Sequence, residues 1–241
     1  MAVDTTTDTA AAKPPRAAWP VEFYRSQLGK KIVMAVTGII GFGFILGHLV
    51  GNLKLYLGAE HINEYGEWLR DVGEPALPHT ALLWIARTVL VGAIVLHVHA
   101  AYALTRINHT ARPTKYADRD YIAANYASRT MRWGGVIILL FIAWHLADLT
   151  WGTANPDFHR GEVYSNIIAS FERPAVAALY IVANLALGLH LFHGLWSMFQ
   201  TLGWSHDRFD PWRRNFALAF AFVVTVGNVS FPIAVLTGAV S

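Results

Sequence analysis

Five stretches of the chain are apolar around the whole circumference of a helix. They run from about Ile32 to Leu53, Leu82 to Leu104, Trp133 to Leu149, Pro174 to Phe199 and Phe216 to Leu236. At 1.5 Å of rise per residue, stretches of roughly 20 residues cross the ~30 Å of hydrocarbon in a bilayer. Only helices and closed barrels can span lipid, because every backbone polar group must be satisfied inside the segment or barrel. The pattern therefore predicts an all-α membrane protein with five transmembrane helices. Residues 1–29 are rich in Ala, Thr and Pro and lack the apolar core of a signal peptide. They read as a flexible tail and entry segment, amphipathic from Trp19 to Lys31, ahead of a membrane domain over residues 30–241.

Composition agrees: 54% of the 241 residues are hydrophobic and 15% charged, against about a quarter charged in a soluble domain. The absence of cysteine excludes iron–sulfur ligation by this chain, covalent haem attachment and disulfides. No basic cluster interleaved with aromatics suggests nucleic-acid binding.

Charge distribution predicts orientation. Fourteen basic residues fall in the tail (Lys13, Arg16, Arg25, Lys30, Lys31), the segment between the second and third apolar stretches (Arg106, Arg112, Lys115, Arg119, Arg129, Arg132) and that between the fourth and fifth (Arg208, Arg213, Arg214). The loops on the other side hold four, Lys54, Arg70, Arg160 and Arg173, among eight acidic residues. The positive-inside rule then puts the amino terminus in the cytoplasm and the carboxy terminus outside, across the inner or plasma membrane.

Six histidines lie within four of the five stretches: His48; His97 and His99; His145; His190 and His193. Ionisable residues inside a membrane are costly and mark function. One such histidine is readily explained as a hydrogen-bonded packing residue; histidines on four successive helices point to a shared cofactor. Depth sorts them. His48 precedes Lys54 by six residues and His145 precedes Asp148 by three, so both belong toward the outer leaflet. His99 precedes Arg106 by seven residues, and with His190 it belongs toward the inner leaflet. Two levels of paired imidazoles are what two stacked bis-histidine haems require, because each iron takes one axial nitrogen from either side. His97 and His99 differ by about 200° around a helix, so only one can face the bundle centre; depth favours His99. His193 is a candidate for a haem edge, a propionate or a quinone. Gly43, Gly47 and Gly51, with Gly92 and Gly194, would admit a flat macrocycle or simply allow close helix packing. Arg87 on the outer side, and Lys31, Arg132 and Trp133 on the inner, are candidate propionate partners, although interfacial anchoring is the commoner role for such residues.

Several segments together resemble the dihaem cytochrome b membrane-anchor subunit of succinate dehydrogenases and fumarate reductases. KKIVMAVTGIIGFGFILGHLVGNLKLYLG (Lys30–Gly58) resembles that family's first helix, INEYGEWL (Ile62–Leu69) its first loop, and HAAYALTR from His99 the end of its second helix. RWGGVIILLFIAWH (Arg132–His145) resembles the third and HLFHGLWSM (His190–Met198) the fourth. The resemblance covers about residues 25–205. It implies two b haems, the distal one on His48 and His145 and the proximal one on His99 and His190. It also implies a flavoprotein and an iron–sulfur subunit on the cytoplasmic face, and menaquinone or ubiquinone as substrate, and leaves a higher oligomer open. The dicarboxylate chemistry would lie in those partners, not in this chain. Some family members carry a glutamate two residues before the fourth-helix ligand as a proton path; here that position is Gly188. Ser26 with Lys30 loosely resembles a Ser-x-x-x-Arg quinone pattern, against the simpler reading of a helix cap and an interfacial cation. Glu64 and Glu67 are the corresponding candidates on the outer side.

Two other readings stand beside this one: a dihaem anchor for a hydrogenase or formate dehydrogenase, and a transporter whose histidines relay protons.

Overall fold

The computed structural model describes residues 18–110, 124–204, 206 and 208–241, with no side-chain description for 124–130. Most of the tail, and Arg112, Lys115 and Arg119 of the basic loop, lie outside the described residues, and Arg129 is among those with no side-chain description. Eight α-helices make up the described fold, with no strand among these residues. Five are long and apolar enough to cross a membrane: α2 (Gln27–Asn52, continued by a 3-10 turn over Leu53–Leu57), α4 (Ala81–Thr110), α5 (Ala124–Leu149), α7 (Pro174–Thr201) and α8 (Asp210–Leu236). Each expected span is present, and most run several residues further than the apolar stretch. The extensions are turns of Lys, Arg, Asn and Trp that lie at interfacial depth and still continue a helix.

The remaining three helices are short. The entry segment becomes α1 (Trp19–Arg25), which ends at Ser26. There the extended backbone starts α2, with the Ser26 hydroxyl accepting from the Gly29 amide at 2.8 Å and donating to the Phe23 carbonyl at 2.7 Å. Gly29 is required by this reversal: a Cβ there would lie 1.9 Å from the Phe23 oxygen. Lys30 donates to the carbonyls of Tyr24 and Arg25 at 3.1 and 2.6 Å and so closes the end of α1. Ser26→Ala is expected to destabilise this junction by about 1 kcal/mol, the usual worth of a cap. Faster amide exchange confined to the first turn of α2 would report it.

At the opposite end, α3 (Ala59–Asp71) and α6 (Val163–Phe171) fill the two connecting loops and pack on each other. Asn63 accepts from the Tyr164 amide at 3.0 Å, and the Tyr164 hydroxyl donates to the Ser241 carbonyl at 3.0 Å. Both loops and the carboxy terminus therefore share one face of the bundle.

The membrane helices are arranged as two packed pairs, α2 on α4 and α5 on α7. The pairs meet mainly where α2 touches α7, and α8 backs α7 along an extensive contact. Glycine sets that contact: a Cβ at Gly188 would lie 2.1 Å from Thr225 Oγ1. Any side chain at this position would press on Thr225 of α8. Arg213, counted above among the loop cations, is instead buried in the first turn of α8 and contacts Asp210.

Candidate functional site

The seam between the two helix pairs is where the intramembrane histidines meet. His48 of α2 and His145 of α5 face each other across it with ring centroids 5.8 Å apart. His97 of α4 and His190 of α7 do the same at 6.3 Å. The spacing has a chemical meaning. Two imidazoles gripping one metal from opposite sides need about 2 Å per metal–nitrogen bond and about 1.1 Å more from nitrogen to ring centre. Their centroids then stand about 6.2 Å apart. Both pairs lie within half an ångström of that value, a separation that edge-on and tilted ring contacts also take.

The two levels are well separated. Thr37 of α2 touches His97, and His48 comes eleven positions after Thr37 along the helix. That corresponds to about 16 Å along the axis. Histidine pairing at two heights, from four helices, is therefore present.

The two histidine rings of α4 have different neighbours. On α4 it is His97 and not His99 that faces His190. The ring of His99 lies on the outside of the bundle against α1, stacked on Tyr24 at 5.7 Å and bonded through Nδ1 to the Tyr24 hydroxyl at 2.5 Å. The cause is helix phase. Depth along α4 distinguishes the two histidines by two residue steps, but rotation separates them by more than half a turn. The fold-back of α1 then supplies the outward imidazole with its own partner.

Each inward pair also includes a histidine with one ring nitrogen beside a hydroxyl. Thr37 Oγ1 donates to the Val33 carbonyl at 2.7 Å, so toward His97 Nδ1, at 3.1 Å, it can only accept. His97 thus carries its proton on Nδ1 and keeps the Nε2 lone pair. At the other level Tyr180 of α7 stands 3.3 Å from His145 Nδ1 and 2.9 Å from Asp148 Oδ2. Asp148 is fully buried at the end of α5, where it also accepts from Ser170 at 2.5 Å and pairs with Arg173 at 2.6 Å. The sequence reading used Asp148 only as a depth marker. An acid inside an apolar stretch, three residues from a histidine, was the signal available for a functional role.

The space beside the rings suits a flat group. A Cβ at Gly43 or Gly47, flanking His48, or at Gly92 on α4, would meet no protein atom within 4 Å. Two other candidate glycines serve packing: a Cβ at Gly51 would lie 2.5 Å from the Tyr65 ring, and one at Gly194 would lie 3.4 Å from Phe42. His190 Nδ1 and Trp144 Nε1 are buried without a hydrogen-bond partner among the described residues. Buried polar atoms are rarely left so, and each is a point where a bound group could be engaged. The donor set, glycine openings and ring spacing together fit a bis-histidine haem at each level.

The secondary candidates are distributed as follows. Arg87 lies over the Trp84 ring of its own helix at 5.1 Å, toward the His48 level. Arg132 bonds His109 at 3.0 Å, and Lys31 and Trp133 are exposed at the opposite end. Ser26 and Lys30 are engaged in the α1–α2 junction. Glu67 is exposed and paired with Arg70, and Glu64 is also exposed. His193 lies one turn beyond His190 and, with Trp133, Ile137, Leu189 and His190, lines an apolar groove between α5 and α7.

Residues 114–229 match the family model described as the succinate dehydrogenase/fumarate reductase transmembrane subunit. The matched segment takes in His145 and His190 and begins after His48 and His97. No curated protein and no solved structure gives a match.

Proposed function

We propose that the chain, whose residues 114–229 match the family of succinate dehydrogenase/fumarate reductase transmembrane subunits, is the electron-carrying cytochrome b anchor of such a complex. It would hold one b haem between His48 and His145 and a second between His97 and His190. The observation that carries this reading is the pair of ring separations, 5.8 and 6.3 Å, at two heights of one seam.

A haem held at each level would supply single-electron transfer through the thickness of the membrane. The chain's own residues do the rest. Four helices fix the imidazoles; Thr37 and Tyr180 hold His97 and His145 in the tautomer that presents Nε2; the apolar flanks of the seam exclude water. The distribution of basic residues supports placing the α1 face in the cytoplasm, where a flavoprotein and an iron–sulfur subunit would dock. Those partners would supply the clusters that a cysteine-free chain lacks. Of the quinone candidates, His193 is the best placed, because it opens on an apolar groove at the level of the inner haem. Ser26 and Lys30 have their polar atoms committed elsewhere.

The fifth helix carries no histidine; α8 packs along α7 and also touches α2 through Phe42–Phe220. A proton-relay transporter is less well supported, since neither histidine pair is hydrogen-bonded within itself and the pairs are separated by about three helical turns of apolar side chains. The purified protein is expected to show sharp reduced b-type bands with two haems per chain, and to co-purify with a flavin-bearing partner. A colourless, folded preparation would sink the proposal. A nickel or molybdenum partner would move it to the hydrogenase or formate dehydrogenase class.

A further inference from the structure

Asp148 accepts from three groups and Tyr180 has one proton to give, and this forces a direction on the whole chain of bonds. Asp148 Oδ1 faces the Arg173 guanidinium, and its Oδ2 faces the hydroxyls of Ser170 and Tyr180. A carboxylate paired with arginine is an acceptor only. The Tyr180 proton therefore points at Asp148, and toward His145 Nδ1 the phenol oxygen can only accept. His145 is thereby held as the Nδ1–H tautomer. Its Nδ1–H leads through one hydroxyl to a buried negative charge.

The other level lacks such a charge. His97 Nδ1–H reaches the Thr37 hydroxyl, and that bond ends on the neutral Val33 carbonyl. The two ligand pairs are alike in spacing and unlike in what stands behind them.

We infer that Tyr180 and Asp148, anchored by Arg173 and Ser170, are positioning residues that lower the reduction potential of the haem at the His48–His145 level. This rests on the haem reading given above. A hydrogen bond from a ligand imidazole toward an anion increases the basicity of the coordinating nitrogen. The more basic ligand stabilises the ferric over the ferrous ion. Tyr180 and Asp148 touch neither iron nor substrate in this scheme; they act through His145.

The test is a redox titration of the purified complex, followed by the visible bands of each haem. The haem missing from His145→Ala identifies the component concerned. Tyr180→Phe removes the hydroxyl and keeps the ring, which packs edge-on against Phe141 at 5.0 Å and Phe171 at 4.9 Å. It is expected to retain both haems, to raise the potential of the His145-linked component and to leave the other in place. Asp148→Asn is expected to shift the same component in the same direction, and it decides the matter if Tyr180→Phe loses a haem. Thr37→Val serves as the converse control, moving only the second component. Unchanged potentials in the haem-replete variants, or equal shifts in both components, would overturn the inference. A parent complex without two haems would instead overturn the reading on which it rests.

Discussion

Replacing His97 with alanine is expected to halve the haem content of the purified protein, from two per chain to one, while His99→Ala leaves it at two. The argument rests on rotation about α4. His97 faces His190 at 6.3 Å, close to the separation that one iron between two imidazoles demands. His99 is turned away and bonded to Tyr24. Removing His97 leaves an iron with one axial nitrogen at that level, and no second imidazole can swing in, because His99 would have to pass through the helix backbone. His190→Ala should remove the same component, and His48→Ala or His145→Ala the other. Haem quantified against protein, with the remaining component identified by its spectrum, checks all five variants. Two haems in His97→Ala and one in His99→Ala would show that α4 turns by about half a revolution when loaded.

Alanine at Gly188 is expected to destabilise the protein by about 1–3 kcal/mol, as overpacking commonly does. The sign is informative. In an open helix, Gly→Ala would instead stabilise by up to about 1 kcal/mol. Here the new Cβ would stand 2.1 Å from Thr225 Oγ1 and 3.3 Å from its Cβ. Rotation of Thr225 relieves the first contact only by breaking its bond to the Ala221 carbonyl at 2.7 Å and by turning a methyl toward the same space. Adding Thr225→Ala removes the hydroxyl and should restore most of the loss. Thermal unfolding in detergent, compared across the two single variants and the double, measures this coupling. A Gly188→Ala protein as stable as the parent would mean that α7 and α8 lie further apart than described.

Much of this arrangement was legible in the sequence. Continuous apolar stretches with basic and acidic flanks defined the five spans, because lipid leaves the backbone few alternatives. Four histidine-bearing helices at two depths followed from counting residues to the nearest charge. The choice between His97 and His99 did not. A helix that is apolar all round carries no amphipathic stripe to fix its rotation, so depth was the only guide, and it does not report phase. The short helices α3 and α6 were also hidden: their segments read as polar loops, and they are helical because they pack on each other across a hundred residues of sequence. The Asp148–Tyr180–His145 chain was missed for a related reason. Its members come from two helices, and only their packing brings a mid-span tyrosine beneath a histidine. Ser26 and Lys30 went the other way, since the local rule for a helix cap outweighed a loose functional pattern.

The narrow line along which α2 meets α7 has a consequence for biogenesis. The α3–α6 contact and the Tyr56–Ser230 bond hold the two leaves together at one end, so they could part only from the other. A disc-shaped guest too wide to thread between finished helices could thus enter edgewise from the bilayer, before the leaves shut. The second leaf, α5 with α7 and α8, is translated last, so closing would follow completion of the chain.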